Sequence, residues 1–179
     1  MRALLRLSGL IDALNERVGR LAMWLVLAAV VVSAGNAVFR KALNMSSNAW
    51  LEIQWYMFAA IFLFGAGYTL KHNGHVRIDI LYGRLAARTR AWVDLVGGLL
   101  FLLPTALLIA WLGWTGFAES YAIGETSPDA GGLLRWPVRL AIPLGFGLLA
   151  LQGISETIKR AAFLAGKAPL ADEAPEETV

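Results

Sequence analysis

Cysteine is absent from the chain, which excludes disulfides, thiolate metal sites and thiol chemistry. Charge is scarce. Asp, Glu, Lys and Arg make up 16% of the 179 residues, where a soluble domain carries about a quarter. With 58% of residues hydrophobic, little is left to build a separate soluble domain. The two histidines, His72 and His75, lie outside the long apolar runs, so no run offers an axial ligand to a haem. No internal repeat, GxxxxGK[ST] phosphate loop or nucleophile arrangement is present, and no cofactor is implied. Lys and Arg outnumber Asp and Glu by 16 to 13, but the basic residues sit beside apolar runs. That placement suits membrane topology and not a nucleic-acid surface.

What is present is four long apolar runs. The stretch from Asn48 to Tyr82 reads as the one the others accompany. Ile53 to Leu70 is eighteen residues without a charge, followed at once by Lys71, His72, His75, Arg77 and Asp79. At ~1.5 Å per residue such a helix covers the ~30 Å hydrocarbon core. Spans are predicted at about 21–41, 49–70, 92–118 and 136–158, giving an all-α integral membrane protein with four transmembrane helices. Before them, Leu4, Leu7, Ile11, Leu14 and Val18 recur at 3-4-3-4 spacing with four arginines between. Residues 1–20 are therefore predicted to form an amphipathic helix in the interface, its arginines toward anionic headgroups. A signal peptide competes for this region, since Val32-Ser33-Ala34 resembles a cleavage site. The nineteen-residue run Leu21–Phe39 exceeds a signal core of ~7–15 residues and favours an uncleaved first span. The segment 166–179 has no apolar period and reads as a disordered acidic tail after the membrane domain of 21–165.

Twelve of the sixteen Lys and Arg fall in the N-terminal segment, the middle loop and the C-terminal segment. By the positive-inside rule both termini are expected on the cytoplasmic side. Trp24, Trp50, Trp92, Trp114 and Trp136 lie near predicted span ends, as an aromatic belt requires. Within the spans, Ala29, Ser33 and Ala37 form a small-residue stripe for close helix approach. Asn36 should hydrogen-bond to a neighbouring helix or a backbone carbonyl, Asn48 should cap span two, and Pro104 and Pro143 should bend their helices.

Few residues could carry chemistry. Glu52 is an ionisable group in a span, but it lies one turn from the outer end, where a carboxylate also suits a helix N-terminus. Arg40 and Lys41 end span one at the same level, and an Arg40–Glu52 ion pair is expected to join the two helices. Asp94 is placed beside Arg88 and Arg90 as a structural acid. His72, His75 and Asp79 share i, i+3, i+7 spacing, but Gly74 interrupts the helix and two histidines are too few for a metal.

Several motifs together resemble the small membrane subunit of tripartite ATP-independent periplasmic (TRAP) transporters. They are Phe39-Arg40, Trp50-x-Glu52, Gly65-Ala66-Gly67 and the run His75-Val76-Arg77-Ile78-Asp79-Ile80-Leu81. GETSPDAGGLLRWPVRLAIPLGF, continuing to Leu151-Gln152-Gly153 and Glu156, completes the set. Ile53 follows Glu52 where many such subunits carry a second acid, so no paired carboxylate is implied here. The resemblance covers roughly residues 15 to 165 and implies a multi-pass protein of the bacterial inner membrane. It implies a large TRAP permease subunit and a periplasmic substrate-binding protein as partners, with membrane lipid around it. Sodium-coupled uptake of an organic acid would be the joint activity, with this chain as scaffold and anchor and no enzyme activity. Arg40, Glu52, His75 and Asp79 would be structural or interface residues. The alternative is a self-contained four-span multidrug-type exporter using Glu52; a membrane enzyme is the third reading.

Overall fold

The computed structural model describes residues 1–43, 47–75 and 82–169. Within them the regular elements are all helices, with one isolated β-bridge, Thr126 to Leu134, in the segment before the last helix. Helix α1 runs Arg2–Leu43 and α2 runs Asn48–Lys71. A third crossing starts as α3, Ala87–Gly97, passes through a π-helical turn, Gly98–Leu102, and continues as α4, Leu103–Ala122. Helix α5 covers Trp136–Leu164. These make four crossings long and apolar enough to span a membrane.

Residues 1–20 are not a separate element. They continue without a break into span one, giving a 42-residue helix about 63 Å long. Gly19, beside Arg20, does not break the helix, because Tyr68 of α2 packs directly against it, and no proline occurs in this part of the chain. The third crossing handles Pro104 locally. Proline has no N–H to give the carbonyl of Leu100, and its ring crowds that carbonyl. The π turn immediately before it widens the helix there, with the Leu103 N–H reaching back to the Gly98 carbonyl. Pro143 sits buried inside α5, facing Gly113 of α4.

The centre of the bundle is α5, not span two. In its most apolar stretch 39% of residues are buried, against 11%, 6% and 6% for the other three crossings. Helices α1, α2, α3 and α4 all pack on α5, and α1 also packs on α2. The composition of α5 explains this. Six of its nine buried positions are small, Ala141, Gly145, Ala150, Gly153, Ser155 and Ala162, so neighbours approach closely on several sides. At Gly145 a Cβ would meet the backbone of Leu63 at 2.8 Å. Span two carries bulkier aromatics and buries only Glu52, Tyr56 and Gly67.

The small-residue stripe on α1 packs at Ala29, which is buried, and at Ser33, whose hydroxyl donates to Gln54 Oε1 at 2.8 Å. Ala37 is exposed. The polar link between α1 and α2 in the membrane is thus Ser33 to Gln54, and Asn36 makes no side-chain hydrogen bond among the described residues.

Candidate functional site

Polar side chains gather at the two ends of the bundle and leave its middle apolar. At one end, the one that the lysine and arginine distribution leads us to expect outside, the segment between α4 and α5 folds back over the start of α2. Glu52 points into this segment and is almost fully buried. Its Oε2 accepts the Leu133 N–H at 2.7 Å. Gly132 lets the loop come so near: a Cβ there would strike the Ser127 side chain and lie 2.9 Å from Glu52 Oε1. Gly131 beside it adopts φ +72°, a left-handed turn that side chains disfavour. Tyr56 OH donates to the Leu134 carbonyl at 3.1 Å, and Asn48 Nδ2 to the Ala130 carbonyl at 3.1 Å. The Arg135 guanidinium lies 5.8 Å from the Trp55 ring centroid.

This arrangement corrects several expectations. Glu52 does not pair with Arg40 among the described residues; Arg40 is exposed at the far end of α1. The loop's backbone N–H reaches the buried carboxylate, so the acid serves α5's entry and not the α1–α2 angle. Asn48 does not cap α2. Ser47 holds the capping position without a side-chain bond, and Asn48 ties the loop instead. Arg139 pairs with Glu125 at 2.8 Å. The Ser120 hydroxyl, and after it Arg139, hold the Glu125 carboxyl below its ordinary range despite partial burial.

At the other end, inner by the same expectation, polar side chains of α1, α2, α3 and α5 meet in separate clusters. Ser8 and Ser155 hydroxyls lie 2.7 Å apart, and Ser155 Oγ donates to Asp12 Oδ1 at 2.7 Å. Gln152 Nε2 donates to Asp12 Oδ1 at 2.9 Å and to Glu156 Oε1 at 3.1 Å. Lys159 bridges the same two acids, at 2.8 Å to Asp12 and 2.7 Å to Glu156. One turn further along α1, Glu16 receives Lys71 at 2.7 Å, His72 at 2.9 Å and Arg20 at 3.0 Å. Asn15 reaches the Leu148 carbonyl of α5 at 3.4 Å beside Gly67, where α1, α2 and α5 meet. Asp94 accepts Tyr82 OH at 2.7 Å and the buried Arg160 at 3.2 Å, so its partners are not Arg88 and Arg90.

The sequence-derived residues are therefore split. Glu52 is seated beneath the α4–α5 loop, Arg40 stands apart from it, and Asp79 lies outside the described residues. His75 is exposed just past α2, at the rim of a crevice of about 480 Å³ between α1 and α2 that Gly65 and Ala66 also line. His72, not His75, makes the polar contact. No group of three metal-ligating side chains occurs among the described residues. The residues missed in the sequence are Ser8, Asp12, Asn15, Gln152 and Ser155. Their signal was available: positions 8, 12 and 15, and 152, 155, 156 and 159, each make a polar stripe at helical spacing. Reading only the leucine face of residues 1–20 hid it, for the polar face is the one that packs.

In the polar clasps at the two ends, Glu52 Oε1, Asn15 Oδ1 and Gln152 Oε1 are buried without a hydrogen-bond partner among the described residues. Each carboxylate in them is met by N–H, hydroxyl or cationic donors, and the spans between hold no ionisable side chain. Such an arrangement ties the helices to one another. The family described as tripartite ATP-independent periplasmic transporters, DctQ component, matches residues 29–163. A C4-dicarboxylate TRAP transporter small permease protein, DctQ, from Rhodobacter capsulatus is 39% identical over 92 residues. That match covers 50% of this chain and 38% of the relative.

Proposed function

Since the chain belongs to the DctQ component family of tripartite ATP-independent periplasmic transporters, a multi-pass family of the bacterial inner membrane, we propose that it is the small membrane subunit of such a transporter. In this reading it pairs with a large permease subunit, and a periplasmic binding protein delivers the solute. The joint activity is sodium-coupled uptake of an organic acid. The chain itself carries neither substrate nor ion; it widens and anchors the assembly.

The observation that carries this reading is that the carboxylates at both ends are held by donors, with no ionisable side chain in the apolar middle between them. A transporter that worked alone would place a titratable or coordinating group at mid-depth. Here Glu52, the acid that a multidrug-type exporter would use, is 3% exposed and bound by the outer loop. That placement weighs against the exporter reading. Both termini toward the cytoplasm follows from the arginine and lysine distribution, and the outward leucines Leu4, Leu7 and Leu14 support an anchoring face toward lipid or a partner. Ile11, assigned to that face by spacing, is buried instead.

Reconstitution tests the proposal. Liposomes holding this chain alone should accumulate no dicarboxylate or other organic acid under a sodium gradient. Uptake should appear once the large subunit and the binding protein are added, and omission of any one of the three should abolish it. Solute flux by the purified chain alone would overturn the scaffold role.

A further inference from the structure

The cations of the two clasps are paired, whereas Arg84, Arg88 and Arg90 have no ion-pair partner among the described residues. Arg84 and Arg88 are exposed, at the turn before α3 and in its first turn. Four residues after Arg88 comes Trp92, 52% exposed, and after another turn Val96, at 44%. Leu99 and Leu100 follow, at 46% and 65%. Residues 88, 92, 96 and 99 follow one another along one flank of the helix, because Ala91, which is fully buried, and Asp94 turn the opposite flank toward α5. Over about 17 Å of rise the exposed flank passes from guanidinium to indole to aliphatic side chains.

That order is the order of groups met on entering one leaflet: phosphate, interfacial region, hydrocarbon. We propose that this flank of α3 is a binding surface for an anionic phospholipid of the cytoplasmic leaflet. Arg84 and Arg88 meet the headgroup phosphate, Trp92 lies at the interface, and an acyl chain runs along Val96, Leu99 and Leu100. Charge complementarity selects the occupant. A cluster of unpaired arginines beside an indole and an aliphatic strip fits an anion joined to a hydrocarbon chain, and a purely apolar partner helix would leave the arginines unmet. Asp94 is already held by Arg160 and Tyr82 and so does not neutralise them. The inference rests on the orientation proposed above, which puts α3 at the cytoplasmic side.

The experiment uses the full-length chain in detergent with added lipid. Phosphatidylglycerol should raise the melting temperature more than phosphatidylcholine at equal mole fraction, and salt should shrink the difference. Arg84→Gln with Arg88→Gln should leave the lipid-free melting temperature unchanged, since neither side chain has a partner to lose. The double variant should weaken phosphatidylglycerol binding by roughly fivefold per arginine removed. Arg40→Gln with Lys41→Gln, at the outer end, should not. Equal stabilisation by both lipids, or a double variant that keeps the phosphatidylglycerol effect, would overturn the proposal. So would a double variant that loses co-purification with the large subunit while its lipid response stays intact, because the flank would then be a protein interface. None of these readouts depends on uptake, so a failed lipid response leaves the subunit assignment standing.

Discussion

At the scale of single residues, Glu52 shows how far sequence can place a group and where it stops. Its place one turn into α2 was legible, because one turn from a helix start is a matter of counting. Its partner was not, because the partner is a backbone N–H eighty-one residues away, and a backbone donor leaves no trace in residue type. Replacing Glu52 by Ala should leave the Leu133 N–H without its acceptor and loosen the outer loop, seen as faster amide exchange at Ser127, Leu133 and Arg135. Glu52→Gln should restore much of the protection, since an amide oxygen also accepts. Exchanging the charges of Arg40 and Glu52 should give no recovery over the single changes in melting temperature. Glu125 adds a pH dependence. Its carboxyl is held below 4.5 in the fold, so its contribution is complete above that value and is lost as pH falls through the lower folded value. Amide protection at Arg135, whose N–H binds the Glu125 carbonyl, should therefore drop on acidification, and Glu125→Gln should flatten that component of the response.

At the scale of elements, the apolar runs determine the number and ends of the crossings, since only helices of this length satisfy their backbone in lipid. Which crossing lies at the centre depends on side-chain size, and hydropathy does not register that. Span two and α5 are both apolar, yet α5 carries the small residues that admit neighbours. Two glycines in α5 make the difference measurable. Gly145→Ala would drive a methyl into Leu63 and should destabilise the bundle by ~1–3 kcal/mol. Gly147→Ala, with open space around it, should be neutral or stabilising by up to ~1 kcal/mol. Thermal unfolding in one detergent compares them directly, and equal losses would mean that α2 does not pack on α5 as described. The unbroken α1 has a similar origin. Helical continuity needs only the absence of a stop signal, whereas an interfacial bend needs a cause that residues 15–25 do not supply.

At the scale of the whole molecule, the inner network joins α1 to α5 through Asp12, Gln152, Ser155, Glu156 and Lys159. Lys159→Met should leave two facing carboxylates without their shared cation and cost about 2 kcal/mol. Adding Asp12→Asn and Glu156→Gln to that variant should return part of the loss; a triple variant no more stable than the single one would show that the lysine acts by packing alone. The same architecture bears on how the protein is made. Helices α1 and α2 meet each other, but α3 and α4 pack chiefly on α5, and α5 leaves the ribosome after all of them. During synthesis the third crossing therefore enters the bilayer with its small polar groups and Gly113 still waiting for a neighbour. Closure of the bundle is thus a late, single event on the biosynthetic clock. A ribosome that stalls before Trp136 leaves a helical hairpin beside a stray crossing, a form that membrane quality control could recognise by its uncovered faces.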